Sequence, residues 1–556
     1  MSSPSRPPIV VFPAKRVRTM DRSRPEAEAI AIRGDRIRAV GTVEELMSYP
    51  GAVLDERFAD SVIVPGFVEA HAHSFGAALW AHPYVGYFDR RDPNGTLWRG
   101  CDSIDAAVDR LIEVDAAMPG SDTVLMAWGF DAIYFGGERL VAKHLDRVST
   151  TRPIYVLHAS GHVATVNTAL IRLRKIDEST AVVGVVTDEN GYPNGELQEP
   201  AAMSLAGVFE KFMASTDDRA TLRAFAAEAA NAGCTTVVDL LQRKLLNPGW
   251  PESVSGIVEA ADFPVRYVPF SPAGASPSSI ERTITALEAA KEFQTDKLRI
   301  GTGVKIILDG SIQQFTARLQ EPGYFDNDSK GIWVTAPDQY REMFAALHAA
   351  GCLIHVHCNG DEASEVFLDA LELALERHPR WDHRHTMTHS QLTTPAQYRR
   401  LAALAGCANI FANHIWYWGD QHRDRILGPD RAARMDACAT ALASGVPISI
   451  HCDTPVTPID PLATMHHAVN RITPSGRVLG PDERITAEEG LHAITLGAAF
   501  TLKMDHLVGS LTAGKLADMA VLDADPIEVA PTEIAAITVR ATVLGGVVRP
   551  SQASER

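Results

Sequence analysis

His71 and His73 stand one residue apart in SVIVPGFVEAHAHS (Ser61 to Ser74), directly after an apolar run. Side chains two apart on a strand share a face, so both imidazoles point the same way where the strand ends. On spacing alone, a couple of hydrogen-bonded surface histidines is the better reading. Four other stretches shift that balance. Lys305, Ile307 and Asp309 share a face in GVKIILDGS. His355, His357 and Asn359 do so in LIHVHCNGD, as do His385, Met387 and His389 in HTMTHSQ. Ser449, His451 and Asp453 share one in ISIHCDTP. Each stretch ends in ionisable groups just before a turn signal. Burying such a group unpaired is unfavourable by several kcal/mol. A whole set is tolerated only if its members satisfy one another or share a cation. Histidine and aspartate suit Zn²⁺ and its divalent neighbours.

Lys305 is the odd member, because an ammonium repels a cation. Two readings are open for it. One is a snorkelling or salt-bridged lysine. The other is a neutral amine that has added CO₂, giving a carbamate whose two oxygens can bridge two metals. Desolvation and a nearby cation both lower a lysine pKa in that direction.

These residues need strands to position them. Between about 200 and 504 the chain alternates buried-type strands with alanine-rich helical stretches. CTTVVDL, VRYVPF, GVKIILDGS, CLIHVHCNGD, HTMTHSQ, ANIFAN and VPISIHCDTP are the strands that follow the first. That alternation predicts a parallel sheet, and about eight such strands predict a (β/α)₈ TIM-like barrel. Active sites of that fold lie at the C-terminal rim of the strands. The stretch from about 84 to 200 is too long for one strand–helix unit and is expected to be an insertion or lid. AIAIRGDRIRAVG near the start, turning at Gly34-Asp35, predicts a hairpin. ADMAVLDAD and ITVRATVLGGVVR near the end predict more short strands, turning at Gly545-Gly546. Both ends can build one small β-sandwich. The expected division is 1–65 and 505–556 for that unit, with 66–504 as the barrel.

The 556 residues carry a formal net charge of −17, which disfavours nucleic acid and anionic membrane as partners. The seven cysteines form no C-x-x-C pair, so no disulfide framework and a reducing, cytoplasmic setting are expected. No stretch reaches the ~20 apolar residues of a membrane span. A small molecule is the expected partner, with a homo-oligomer left open.

VIVPGFVEAHAH resembles the first-strand signature of the metal-dependent amidohydrolase superfamily. ASGHVATVN, VKIILDGSIQQFTARL, HVHCNGDEA, RHTMTHSQ, CDTPVTPIDPL and GSLTAGKLADMAVLD resemble the branch that includes N-substituted formamide deformylase. The resemblance spans about Ala29 to Val548. It implies the barrel and sandwich above, and one or two divalent metals, usually zinc. It implies His71, His73, Lys305, His357, His389 and Asp453 as ligands, with Lys305 carboxylated in two-metal members and Asp453 also moving protons. His162 falls in the family's Ser-Gly-His motif, near the substrate. Two departures stand at the pocket. His451-Cys452 replaces the usual Gly-Ser before Asp453, and FANHIWYWG replaces a Gln-Pro stretch. His451 is equally a pocket residue or a packed core histidine.

The chemistry so implied is C–N hydrolysis of an amide, formamide or related compound by metal-activated water. Asp453 would act as base and then acid, and His162 would stabilise the oxyanion. Trp128, Asn167, Asp309, Trp416, Trp418 and His451 are candidate substrate contacts. The aromatics lie in stretches read as loops and suit an apolar or aromatic amide. A lyase or isomerase on the same fold, an ester or carbamate hydrolase, and a binding protein with a dead site are the alternatives. GSLTAGKL is not a phosphate loop, since Leu516 replaces the hydroxyl residue and a strand follows. His466 and His467 adjoin on a helix and cannot act jointly.

Overall fold

The structure is a computed structural model that describes residues 7–120, 122–274 and 276–552. It has a TIM-barrel-like α/β fold. Eight parallel strand segments follow one another in chain order: Phe67–Ala72, Cys234–Asp239, Arg266–Pro269 running on into Ser271–Pro272, Gly303–Ile307, Leu353–Cys358, Thr386–His389, Cys407–Ile410 and Ile448–Ile450. Their registers are regular at the fourth to sixth strands. Ile307 lies opposite His357, and Cys358 opposite His389.

The last strand meets the first without a ladder of its own. Instead Asp453 N donates to His71 O at 3.0 Å and His73 N to Thr454 O at 2.8 Å. The Glu69 carboxylate accepts from Cys452 N at 3.2 Å and from His71 N at 2.9 Å. Asn409 Nδ2 adds a bond to Ala70 O at 3.1 Å. Main-chain donors left dry would be unfavourable, and the first four of these five contacts absorb them. Burial pushes the Glu69 carboxyl up to about 7, although the bonds from Cys452 and His71 oppose it.

Alternation along the strands sorts the side chains. Val304, Ile306, Ile354, Val356, Met387, Ala408, Ile410, Ile448 and Ile450 join the main core with Phe344, Phe367, Leu371 and Leu401 of the surrounding helices. The residues between them include Lys305, His357, Asn409 and His451. Local signals place the helices. Thr394 and Gln397 form a capping box at Pro395–Ala403, with proline in its first turn, and Thr486 and Glu489 do the same at Ala487–Ala493.

Between the first and second core strands the long segment builds its own five-stranded sheet, from Leu125–Phe130 to Pro193–Gln198. The chain ends combine into one hydrogen-bonded eight-stranded sheet, where a sandwich of two was expected. Ile9–Arg18 links strands of the N-terminal part to Val62–Pro65, which pairs with Met519–Leu522. Its turns are the predicted ones: Arg33 pairs with Arg36 across Gly34-Asp35, and Leu544 with Val547 across Gly545-Gly546. Both of the latter glycines have positive φ (+55° and +78°), as a tight two-residue hairpin turn requires. All seven cysteines are free and buried. Among the described residues no helix is long and apolar enough to cross a membrane.

Two elements depart from the sequence reading. Trp128, read as lying in a loop, is in the strand Leu125–Phe130. Asn413–Gln421, read as a loop, is a helix. Ile415, Trp418, Gly419 and His422 are buried at helical spacing, a period that the run of aromatics obscured.

Candidate active site

A cavity of about 120 Å³ opens at the C-terminal ends of the core strands. It is lined by His71, His73, Lys305, His357, His389 and Asp453 together with His162 and Trp128. Asp453 Oδ1 lies 3.2 Å from His71 Nε2 and 3.4 Å from His73 Nε2, and Oδ2 lies 3.9 Å from His389 Nδ1. The His357 and His389 rings are 4.4 Å apart between centroids, and those of His71 and His389 4.8 Å. His357 Nε2 faces Gly310 O at 3.0 Å, which leaves its other nitrogen free of that contact.

Regular alternation would have put His389 beside Met387 on the helix-facing side. The backbone at His389 and Ser390 is left-handed (φ +71° and +52°), and this break turns the imidazole into the cavity. Asp453 is left-handed too (φ +55°). Such conformations are disfavoured for residues with a Cβ and collect where function demands a direction.

Polar accounting separates this cavity from an ordinary core. Lys305 Nζ, Asp453 Oδ1, His71 Nδ1 and His73 Nδ1 are buried and accept or donate no hydrogen bond. Burial brings the Lys305 ammonium down to about 7, despite the opposing charge of Asp453. Burial would raise Asp453, but the neighbouring His73, with His451 and Lys305, outweighs it and holds the carboxyl below its usual range. Burial drives His71, His357 and His389 well below the usual imidazole value, so these rings are neutral and offer lone pairs. His71, His73 and Asp453 bring one donor atom each within 4.8 Å of one another, as do His71, His389 and His451. Unpartnered nitrogen and oxygen donors in this arrangement fit a divalent cation.

His451 sits behind the rings. It stacks on His71 (centroids 4.6 Å) and on Phe411, and its Nδ1 contacts Asn409 Oδ1 at 2.9 Å. It does not line the cavity and supports its lining. Four more of the candidate substrate contacts lie elsewhere. Asn167 caps the helix Thr168–Arg174 and ties Ile154, Ser149 and Arg152 together, so its amide is fully used. Asp309 accepts three main-chain N–H groups, from Asn359, Gly360 and Arg318. Trp416 stacks on His467. Trp418 gives its indole N–H to the buried Asp131 at 2.8 Å. Trp128 does line the cavity, and its Nε1 has no partner.

Two important carboxylates were absent from the sequence reading. Glu69 closes the seam described above. Glu199 Oε2 lies 2.7 Å from His162 Nδ1. Burial would lower the His162 pKa, but the charge and hydrogen bond of Glu199 prevail and raise it. A carboxylate two residues before His71 was a readable signal for the first. Nothing local to GELQEP marked the second.

A sequence model of the amidohydrolase family matches residues 59–550, and the chain belongs to that family. It is 27% identical over 547 residues to Protein LONG AFTER FAR-RED 3 of Arabidopsis thaliana, covering 95% of this chain and 89% of that one. It is 25% identical over 569 residues to the N-substituted formamide deformylase of Arthrobacter pascens, covering 96% of each. Among solved structures it resembles an uncharacterized metal-dependent hydrolase from Pyrococcus horikoshii OT3, with a TM-score of 0.68 and 19% identity. That match covers 94% of this chain and 99% of the other.

Proposed function

We propose that this protein is a metal-dependent hydrolase of a C–N bond, in an amide, formamide or related small molecule that bears an apolar or aromatic group. The observation that carries the reading is the set of buried, unpartnered donors from separate strands around one cavity. Family membership and the likeness to a formamide deformylase support it.

His71, His73, His357, His389 and Asp453 would hold the cation, and zinc suits their donor atoms, with one or two ions and other divalent metals compatible. A divalent cation supplies Lewis acidity there: it polarises a carbonyl oxygen and acidifies a water. Lys305 joins as a carbamate. Its neutral amine forms an N–C bond to CO₂ and releases a proton, which leaves an anion where an ammonium would repel. Asp453 takes the proton of the attacking water and returns it to the leaving nitrogen. His162, whose pKa Glu199 raises, donates a hydrogen bond to the carbonyl oxygen as negative charge builds there. Phe75, Leu79, Trp128, Leu157 and Phe209 line the remaining wall and seat the apolar group.

The test is elemental analysis of purified protein, then a panel of N-formyl and N-acyl compounds in water enriched in heavy oxygen. Bound divalent metal, and heavy oxygen in the released acid, are expected. Metal-free active protein, or turnover without solvent oxygen in the product, would refute the hydrolytic reading.

A further inference from the structure

His162 and Glu199 grip one another twice. Glu199 Oε2 meets His162 Nδ1 at 2.7 Å, and Glu199 N donates to His162 O at 2.7 Å. An ionised carboxylate only accepts, so Nδ1 carries the proton in this contact. His162 Nε2 has no hydrogen-bond partner among the described residues, and the ring lines the cavity with its centroid 4.9 Å from that of His357.

The grip is built against local preference. Glu199 has φ +64°, a left-handed backbone, directly before Pro200. Residues before proline are steered to extended conformations, and residues with a Cβ avoid this region generally. Glu199 is also buried, and its Oε1 has no partner. Across from it stands Gly310, where an added Cβ would overlap Glu199 Oε1 and the Thr316 hydroxyl. The same Gly310 offers its carbonyl to His357 Nε2 at 3.0 Å and Asn359 Nδ2 at 2.9 Å. The carboxylate is thus wedged between the inserted segment and the loop after the fourth core strand.

We infer that Glu199 is a positioning residue for His162: by holding Nδ1 it fixes the ring and leaves Nε2 as the atom that meets the substrate carbonyl. This rests on the reading of His162 as a donor to that carbonyl. Misplacing such a donor by an ångström loses about 100-fold in rate.

The experiment compares Glu199→Ala, Glu199→Gln, His162→Ala and the double variant His162→Ala/Glu199→Ala. It records kcat, KM and metal content on the best substrate of the panel. Glu199→Ala should lose about 100-fold in kcat with KM and metal content held. Glu199→Gln, which keeps volume and an acceptor for Nδ1–H, should recover at least about tenfold of that loss. In the His162→Ala background, Glu199→Ala should have no further effect, because residues that act through one another are non-additive. A full extra loss in that background overturns the inference, as does a glutamine variant no better than alanine, or loss of metal with either Glu199 variant. Wild-type kcat in His162→Ala would instead refute the donor role of His162 itself, which keeps the two failures apart. If Glu199→Ala does not fold, Glu199→Gln alone and in the His162→Ala background decides the matter by the same additivity criterion.

Discussion

The strand Thr386–His389 is preceded by one histidine and closed by another, and the two ends keep opposite accounts. At the start, His385 Nε2 meets His348 Nδ1 at 2.8 Å, and His385 Nδ1 accepts from Ile354 N at 3.1 Å. His348 Nε2 reaches His378 O, and His383 is bonded at both nitrogens to His385 N and Leu404 O. Every nitrogen of that trio is used by protein. At the other end, around His389, lie the unpartnered atoms of His71, His73, Lys305 and Asp453. Both clusters are buried and rich in imidazole. One is structure, complete in itself. The other keeps buried donors that no protein group uses. Histidine content does not tell them apart, whereas the count of partners does.

The sharpest way to break this comparison is to strip the metal. Exhaustive chelation should abolish turnover, and a divalent cation should restore it, while the His385 end has nothing to lose. Retained turnover in metal-free protein would make the two ends equivalent. Next in size is Asp453→Asn, which should cut kcat by about 100-fold to about 10,000-fold with metal content preserved. Activity near wild type would remove Asp453 from proton transfer. At the structural end, His385→Ala leaves Ile354 N and His348 Nδ1 without partners. It should destabilise the fold by about 2–4 kcal/mol, read from denaturant midpoints, while kcat and metal content stay unchanged. A selective loss of kcat with normal stability would assign that end a chemical role.

The smallest effect concerns Asp131, a carboxylate bonded to Trp418 Nε1 and to Gln314 Nε2. Burial pushes it from 3.8 to about 6. Its proton is held more tightly in the folded state than in the unfolded one. Its favourable contribution is therefore full below the ordinary value and is lost as pH rises through the folded one. Asp131→Asn removes that dependence. Its melting temperature relative to wild type should rise by roughly 1–3 °C on going from acid to neutral pH. No relative change, or a fall, would show that the carboxylate is not strained by burial.

Much of this was legible in sequence. The alternating His71/His73, Lys305 and His357 pairs, and the strand–helix alternation carrying them, follow from period-two and helical patterns. The first hairpin, at Gly34-Asp35, was written in its turn residues. Strict alternation points His389 outward with Met387, and a left-handed backbone instead turns it into the cavity. His385 and His355 shared the pattern and have other employment, the latter at Thr501 O. Of the candidate aromatics, Trp128 lines the cavity, whereas Trp418 is buried and committed to Asp131 and Trp416 stacks on His467. Glu199 could not be found at all, since it lies 37 positions from His162 and reaches it only through the folded insertion.

Glu69 has a consequence for how the site holds together. The first and last core strands each carry part of the cavity lining, and the Glu69 side chain with two backbone hydrogen bonds, rather than a full ladder, fastens them. The clasp sits under His71 on one side and directly before Asp453 on the other, so any loosening there would spread the two halves of the pocket apart while the rest of the ring kept its shape.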